Sequence, residues 1–290
     1  MTAVRVSHPG TAGAHPRLKQ AILLLSAIGI TLTLGLPLLY MVVSSFKPAP
    51  EVFTVPPSFF PRQWTLEGYQ ELIDLSDVPI AFRNSMVVSG VAAVVGVGLS
   101  IGLCYTITRI RLPGLRLFTY LILLVYILPQ ILLVLPIYTL WAQLGLTNGL
   151  LPLALTHVSF TLPFAVWMMR SYFAAIPLDL EAAAMVDGAT RAQAFLRVVL
   201  PLARPGIIAT FIFTFILSWN EVLFASIFAS SENNMVISTS LKTLLGEQGG
   251  WHSWGMVNAA GVAATVPTLI FFIFIQRQLV AGFTAGAVKG

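Results

Sequence analysis

The chain has 290 residues, 57% of them hydrophobic and 9% charged, against roughly 25% charged in an average soluble domain. With a mean hydropathy of +0.87 it cannot cover itself with a water-facing surface, and apolar runs of about 20 residues, enough to cross roughly 30 Å of hydrocarbon as helix, recur along it. The net charge of +5 sits on residues beside these runs and forms no aromatic-interleaved basic patch, which argues for a lipid bilayer and against nucleic acid as partner.

Residues 1–19, with His8, Pro9, Gly10, Gly13, His15 and Pro16, read as a disordered cytoplasmic tail. The run from Gln20 to about Val43 is too long for a signal-peptide core and no A-x-A-like site closes it, so it is expected to be retained as a first helix. Hydropathy and flanking charges, prolines and glycines place six membrane helices at about 20–43, 85–108, 117–141, 150–170, 206–228 and 259–279. The expected fold is an all-α membrane protein, and six spans put both termini on one side.

The distribution of basic residues selects that side. With the amino terminus inside, the inner segments hold Arg5, Arg17, Lys19, Arg109, Arg111, Arg116, Arg170, Arg191, Arg197, Arg204, Arg277 and Lys289, and the outer loops only Lys47, Arg62, Arg83 and Lys242. Positive residues resist translocation, so both termini are expected to be cytoplasmic. In the second span Ala92, Gly96 and Ser100, and also Gly98 with Gly102, form small-residue stripes of the kind that let helices approach closely. Cys104 is the single cysteine; it excludes an intrachain disulfide, and its apolar surroundings make it a packing residue.

The longest inner loop, 171–205, reads SYFAAIPLDLEAAAMVDGATRAQAFLRVVLPLARP. Pro177 suits a helix start, Asp179 and Glu181 suit its positive dipole end, and Gly188 suits its termination. Thr190 to Gln193 fits a capping box, which opens a second short helix running to about Leu200, before Pro201. The product is helix, glycine elbow and helix, too short to span. On physical grounds alone two readings stand equally: a docking surface, or an amphipathic helix lying in the lipid interface.

The same residues resemble the EAA loop of ABC import permeases. Glu181, Ala182, Ala183, Asp187, Gly188, Ala189, Phe195, Leu200 and Pro201 match its pattern in identity, order and spacing. Trp219-Asn220-Glu221 and the final stretch from Gln278 to Gly290 are similar to the carbohydrate-uptake group, specifically its maltose-type second permease. This resemblance implies a type I ABC importer permease fold over residues 20–290. It implies as well that the 171–205 unit is a coupling helix entering a separate ATPase subunit, near polar or basic groups of which Glu181 would lie. The implied partners are a second, unlike permease, two ATPase subunits, an extracytoplasmic solute-binding protein and a carbohydrate. ATP and magnesium would belong to the ATPase. No G-x-x-x-x-G-K-[ST] occurs in this chain, so no cofactor is expected on it.

Glu221 is the acid expected inside a span, about seven residues or roughly 10 Å below the outer surface, with His157 at similar depth. A buried ionisable group in lipid is a functional hypothesis by default. Trp219, Asn220, Glu221 and His157 are therefore candidates for a solute pathway, the indole stacking on a sugar ring. The competing reading makes Asn220 and Glu221 links to the partner permease and His157 a residue bonded to backbone. The outer loop 229–258, with Asn233 and Asn234, reads either as a solvated connector or, from the resemblance, as a segment reaching toward the binding protein. Intramembrane catalysis is disfavoured, because G-x-S-x-G and H-E-x-x-H are missing, and His8, His15, His157 and His252 are too scattered for a metal. An ion-driven secondary transporter would accommodate six spans but leave Glu181 to Pro201 unexplained.

Overall fold

The computed structural model describes residues 16–52, 54–110, 113–247 and 254–287. In chain order the helices are α1 (Pro16–Ser44), α2 (Ala49–Val52), α3 (Glu67–Asp74), α4 (Val78–Arg109), α5 (Leu115–Ile127), α6 (Gln130–Gln143), α7 (Leu150–Ala175), α8 (Leu178–Val186) and α9 (Arg191–Ala194). A π turn (Phe195–Val199) leads into α10 (Leu200–Trp219), followed by α11 (Ala225–Phe228), a 3₁₀ turn (Glu232–Asn234), α12 (Ile237–Glu247) and α13 (Trp254–Ala287). Among the described residues five helices are long and apolar enough to cross a bilayer, or six if α5 and α6 count as one.

The spans differ from hydropathy in instructive ways. The expected 1–19 tail lies outside the described residues as far as residue 15, and α1 is helical from Pro16. The 117–141 span is broken at Leu128 and Pro129, with α5 and α6 at 101° to each other. Leu128 is extended, the conformation a residue before proline prefers. The 206–228 span is displaced toward the amino terminus. Its helix is continuous from Arg191 and stops at Trp219. Pro201 does not stop it, because the π turn, in which Leu200 N–H donates to Phe195 O, loosens the ladder just before proline withholds an N–H. The connector 229–258 contains helix α12, while residues 248–253 lie outside the described residues.

The centre of the bundle is α4, α7 and α10. Ala92, Gly96 and Ser100 are buried on the inner face of α4, and a Cβ on Gly96 would meet Thr161 of α7 at 3.5 Å and Thr214 of α10 at 3.7 Å. Gly98 and Gly102 are exposed, with nothing within 4 Å of a Cβ, so packing within the chain accounts for the first stripe and not for the second. A Cβ on Gly206 would fall 2.3 Å from the Tyr172 ring, so α7 and α10 touch where no side chain intervenes. By contrast α1 exposes leucines along its length, Leu34 at 70% and Leu25 at 68%. Its contact with the bundle runs through α13, where Gly261 faces Met41. A largely apolar exterior of this kind, with the Ser26 and Thr33 hydroxyls bonded to the helix's own carbonyls, is suited to lipid.

Hydrogen bonds mark two ends of the bundle. At one, Asn84 of α4 donates to Asn233 O (2.9 Å) and Met235 O (2.8 Å), and Gly149 N–H, before α7, donates to Phe228 O (2.9 Å). At the other, Arg109 closes α4 against the end of α7, donating to Ile176 O at 3.0 Å.

Candidate functional site

The unit beyond α7 forms as the local sequence dictates. Helix α8 carries Asp179 and Glu181 in its first turn and ends at Asp187, and Gly188 has φ +92°. That left-handed value favours glycine, and open space around its Cβ position makes the requirement conformational rather than steric. Thr190 Oγ1 accepts from Gln193 N–H (3.2 Å) and Gln193 Oε1 accepts from Thr190 N–H (2.9 Å), the reciprocal cap that opens α9. Ala182, Ala183 and Asp187 are exposed, and Ala189 is half-buried. The exposed face of α8 includes Leu178 (58%) and Val186 (87%).

Glu181 is 5% exposed and turned into its own chain, where Oε1 accepts from the Tyr105 hydroxyl and Oε2 faces Arg109 Nε at 3.3 Å. The latter contact lacks hydrogen-bond geometry, so charge alone holds it. A carboxylate this deeply buried needs a paired cation, and α4 supplies one. Tyr105 and Arg109 are four residues apart, on one face of the last turns of α4. In the sequence Arg109 stands out as a topological charge, and the i, i+4 polar pair with Tyr105 at a helix end is the signal that marks the two as a site.

At the opposite end His157, within α7, and Asn220 and Glu221, just beyond the end of α10, border one cavity, which Trp219, the last residue of α10, does not line. Helix α10 ends at Trp219 because its neighbours offer the backbone other partners. Asn220 Nδ2 donates back to Ile216 O (2.9 Å), and Glu221 accepts from Phe224 N–H (2.9 Å) and Ala225 N–H (3.1 Å), capping α11. His157 Nε2 lies 3.1 Å from Glu221 Oε2, and Nδ1 lies 2.7 Å from Ser218 Oγ. Since a carboxylate only accepts, Nε2 carries a proton. Both groups are thus satisfied within the chain. They nevertheless border a cavity of about 490 Å³ together with Tyr126, Gln130, Phe160 and Asn220, beside the break between α5 and α6. Such breaks are tolerated at membrane depth where they line a cavity. Tyr126 and Gln130 were missed in the sequence, where hydropathy runs smoothly across the break.

Trp219 is not presented for ring stacking in this structure. It is 3% exposed, stacked on Phe215, edge-on to Phe82, and its indole N–H donates to Ala264 O of α13 at 3.1 Å. In the connector between α11 and α12, Asn233 and Asn234 belong to the 3₁₀ turn docked on α4 through Asn84. Asn234 Nδ2 also reaches Asn148 O at 3.4 Å. Among the described residues there is no group of three or more His, Cys, Asp or Glu able to hold a metal.

A bundle of apolar helices with a helix, elbow and capped helix at one end is the architecture of a type I ABC importer permease. Residues 95–283 match the family of binding-protein-dependent transport system inner membrane components, and the chain belongs to that family. It is 39% identical over 256 residues to the inner membrane ABC transporter permease protein YcjP of Escherichia coli K12, covering 88% of this chain and 91% of that protein. It is 35% identical over 268 residues to the diacetylchitobiose uptake system permease protein DasC of Streptomyces coelicolor (91% and 95%). With the trehalose/maltose transport system permease protein MalG of Thermococcus litoralis it shares 32% over 277 residues (94% and 98%). In three dimensions it is similar to a chain of a bacterial ABC transporter that imports the acidic polysaccharide alginate, with TM-score 0.76, 19% identity, and 91% and 98% coverage. That likeness bears on the fold.

Proposed function

We propose that this chain is the membrane-spanning subunit of an ATP-driven, binding-protein-dependent importer of a sugar or sugar-like solute. The observation that carries this reading is the α8 unit. One face is fixed inside the chain through Glu181, and the other leaves Leu178 and Val186 exposed outside any span. An apolar patch on a short non-spanning helix favours a protein partner, and family membership supports a separate ATPase subunit in that place. In this reading the Arg109 end is cytoplasmic, both termini are cytoplasmic, and the Asn84 end meets an extracytoplasmic binding protein. Motion of the ATPase reaches the spans through α8 and drives alternating access, with a second, unlike permease completing the pathway.

Sugar as the solute class is supported by the relatives, whose names specify diacetylchitobiose and trehalose/maltose. A structure of the alginate transporter with a pentasaccharide-bound periplasmic protein (TM-score 0.63, 19% identity) is a further fold neighbour. The cavity beside the α5–α6 break is the candidate solute contact, through Gln130 and Asn220 rather than Trp219. Binding of maltose, trehalose, chitobiose, polyols and amino acids to the co-encoded binding protein tests the class. Tight binding of an amino acid and of no sugar would overturn it, and uptake that persists after deletion of every partner ATPase would overturn ATP coupling.

A further inference from the structure

The coupling reading needs α8 to move spans, yet α8 is joined to α7 by only Ile176 and Pro177 and to α9 by the glycine elbow. Its strongest attachment to the bundle is through side chains. Glu181 accepts from Tyr105 and pairs with Arg109 at 3.3 Å, and the two charged side chains are 6% and 7% exposed. The same guanidinium donates through Nη2 to Ile176 O (3.0 Å), just past α7, and reaches Phe173 O in its last turn at 3.4 Å. The Tyr105 ring packs against Phe195 of the π turn, with centroids 4.6 Å apart. Two side chains of α4 therefore grip α8, the end of α7 and the entry to α10 together. A buried ion pair of this kind resists opening, because separation leaves an uncompensated charge in a poorly solvated site.

We propose that Tyr105 and Arg109 are positioning residues for coupling, which latch α8 through Glu181 so that α8, the end of α4 and the end of α7 move as one body. Glu181 then acts within its own chain, and contact with the ATPase falls to the exposed face of α8. The proposal rests on the coupling reading above. It differs from a merely structural role in predicting that variants assemble and bind nucleotide yet transmit less motion.

The test uses the assembled importer with its ATPase subunits, in a Cys104→Ala background, trapped with magnesium, ATP and vanadate. Spin labels at Leu99→Cys on α4 and Ile270→Cys on α13, both exposed, report movement of α4. Labels at Leu180→Cys, exposed and off the Leu178 and Val186 face, and Leu99→Cys report whether α8 stays fixed to α4. With the natural residues at 105 and 109, trapping shifts the 99–270 distance and leaves the 180–99 distance narrow and unchanged. Arg109→Gln is expected to broaden the 180–99 distribution and cut the 99–270 shift at least twofold at equal trapped nucleotide. Tyr105→Phe has a smaller effect in the same direction, and Arg109→Lys restores part of the loss. Should Arg109→Gln fail to assemble, Tyr105→Phe and Arg109→Lys carry the test. Full 99–270 shifts in these variants, or losses explained wholly by reduced assembly, would overturn the latch. No shift with the natural residues present would instead overturn the coupling reading.

Discussion

Glu181 and Glu221, at opposite ends of the bundle, are satisfied in different ways. Glu181 pairs with Arg109, a permanent cation on another helix, and takes the Tyr105 hydroxyl. Glu221 caps α11 with two backbone N–H groups and accepts from His157. The first arrangement ties separate elements into a unit with one face left open. The second closes a turn locally and ends a helix. An acid near a membrane therefore acquires its role from what it is bonded to, and depth alone does not assign it.

The elbow separates the two ends most sharply. Gly188→Val is expected to reduce uptake more than tenfold while the subunit remains inserted, since a branched residue at φ +92° opposes the left-handed conformation by roughly 1–2 kcal/mol or more. Gly188→Asn, which tolerates that conformation, retains at least half of the uptake. Uptake assays on membranes matched for subunit content decide between them.

The carboxylates themselves come next. Glu181→Gln removes one partner of a buried pair, a change of about 3–5 kcal/mol, and should lower the unfolding temperature of the purified complex clearly. Glu221→Gln weakens a helix cap, for which about 0.5–2 kcal/mol is typical. Equal shifts, or the reverse order, would show that the two acids are held alike.

Glycine positions refine the picture of where helices need each other. Gly206→Ala puts a Cβ 2.3 Å from the Tyr172 ring and should destabilise the α7–α10 contact. Gly96→Ala meets neighbours at ordinary distances of 3.5 and 3.7 Å and should be neutral or stabilising by up to about 1 kcal/mol. Thermal unfolding of the two variants ranks them.

The smallest effect concerns pH at the Asn84 end. There Glu51 accepts from Arg62 N–H at 2.7 Å and from Ser58 Oγ at 3.1 Å, next to Lys47, whose Nζ donates to Ser58 O. The Arg62 N–H, against the opposing effect of burial and with help from Ser58, holds the Glu51 pKa below the ordinary carboxylate range. A depressed folded value means the stabilisation is complete above the ordinary value of about 4.3 and fades as pH falls through the folded one. Amide exchange in residues 47–65 should accelerate modestly over that window, and Glu51→Gln should abolish the dependence.

What could be read beforehand was local. The Gly188 elbow and the Thr190 to Gln193 cap are encoded within six consecutive residues and form as their local sequence dictates. Tyr105 to Glu181 spans 76 positions, and no periodicity links residues so distant. Hydropathy located the spans but not their ends. Pro129 breaks one apolar run, while Asn220 and Glu221 end another through side-chain bonds to backbone. Trp219 had the composition of a sugar platform, and its burial against Phe215 and Phe82 depended on helices far away in sequence.

The central claim, that the open face of α8 meets the ATPase, is tested most directly by cross-linking. Val186→Cys in a Cys104→Ala background, carrying a photoactivatable cross-linker, should join the ATPase subunit in the assembled complex, while Leu151→Cys at the other end, 59% exposed, should not. Efficient cross-linking to the ATPase from Leu151 and none from Val186 would contradict the account.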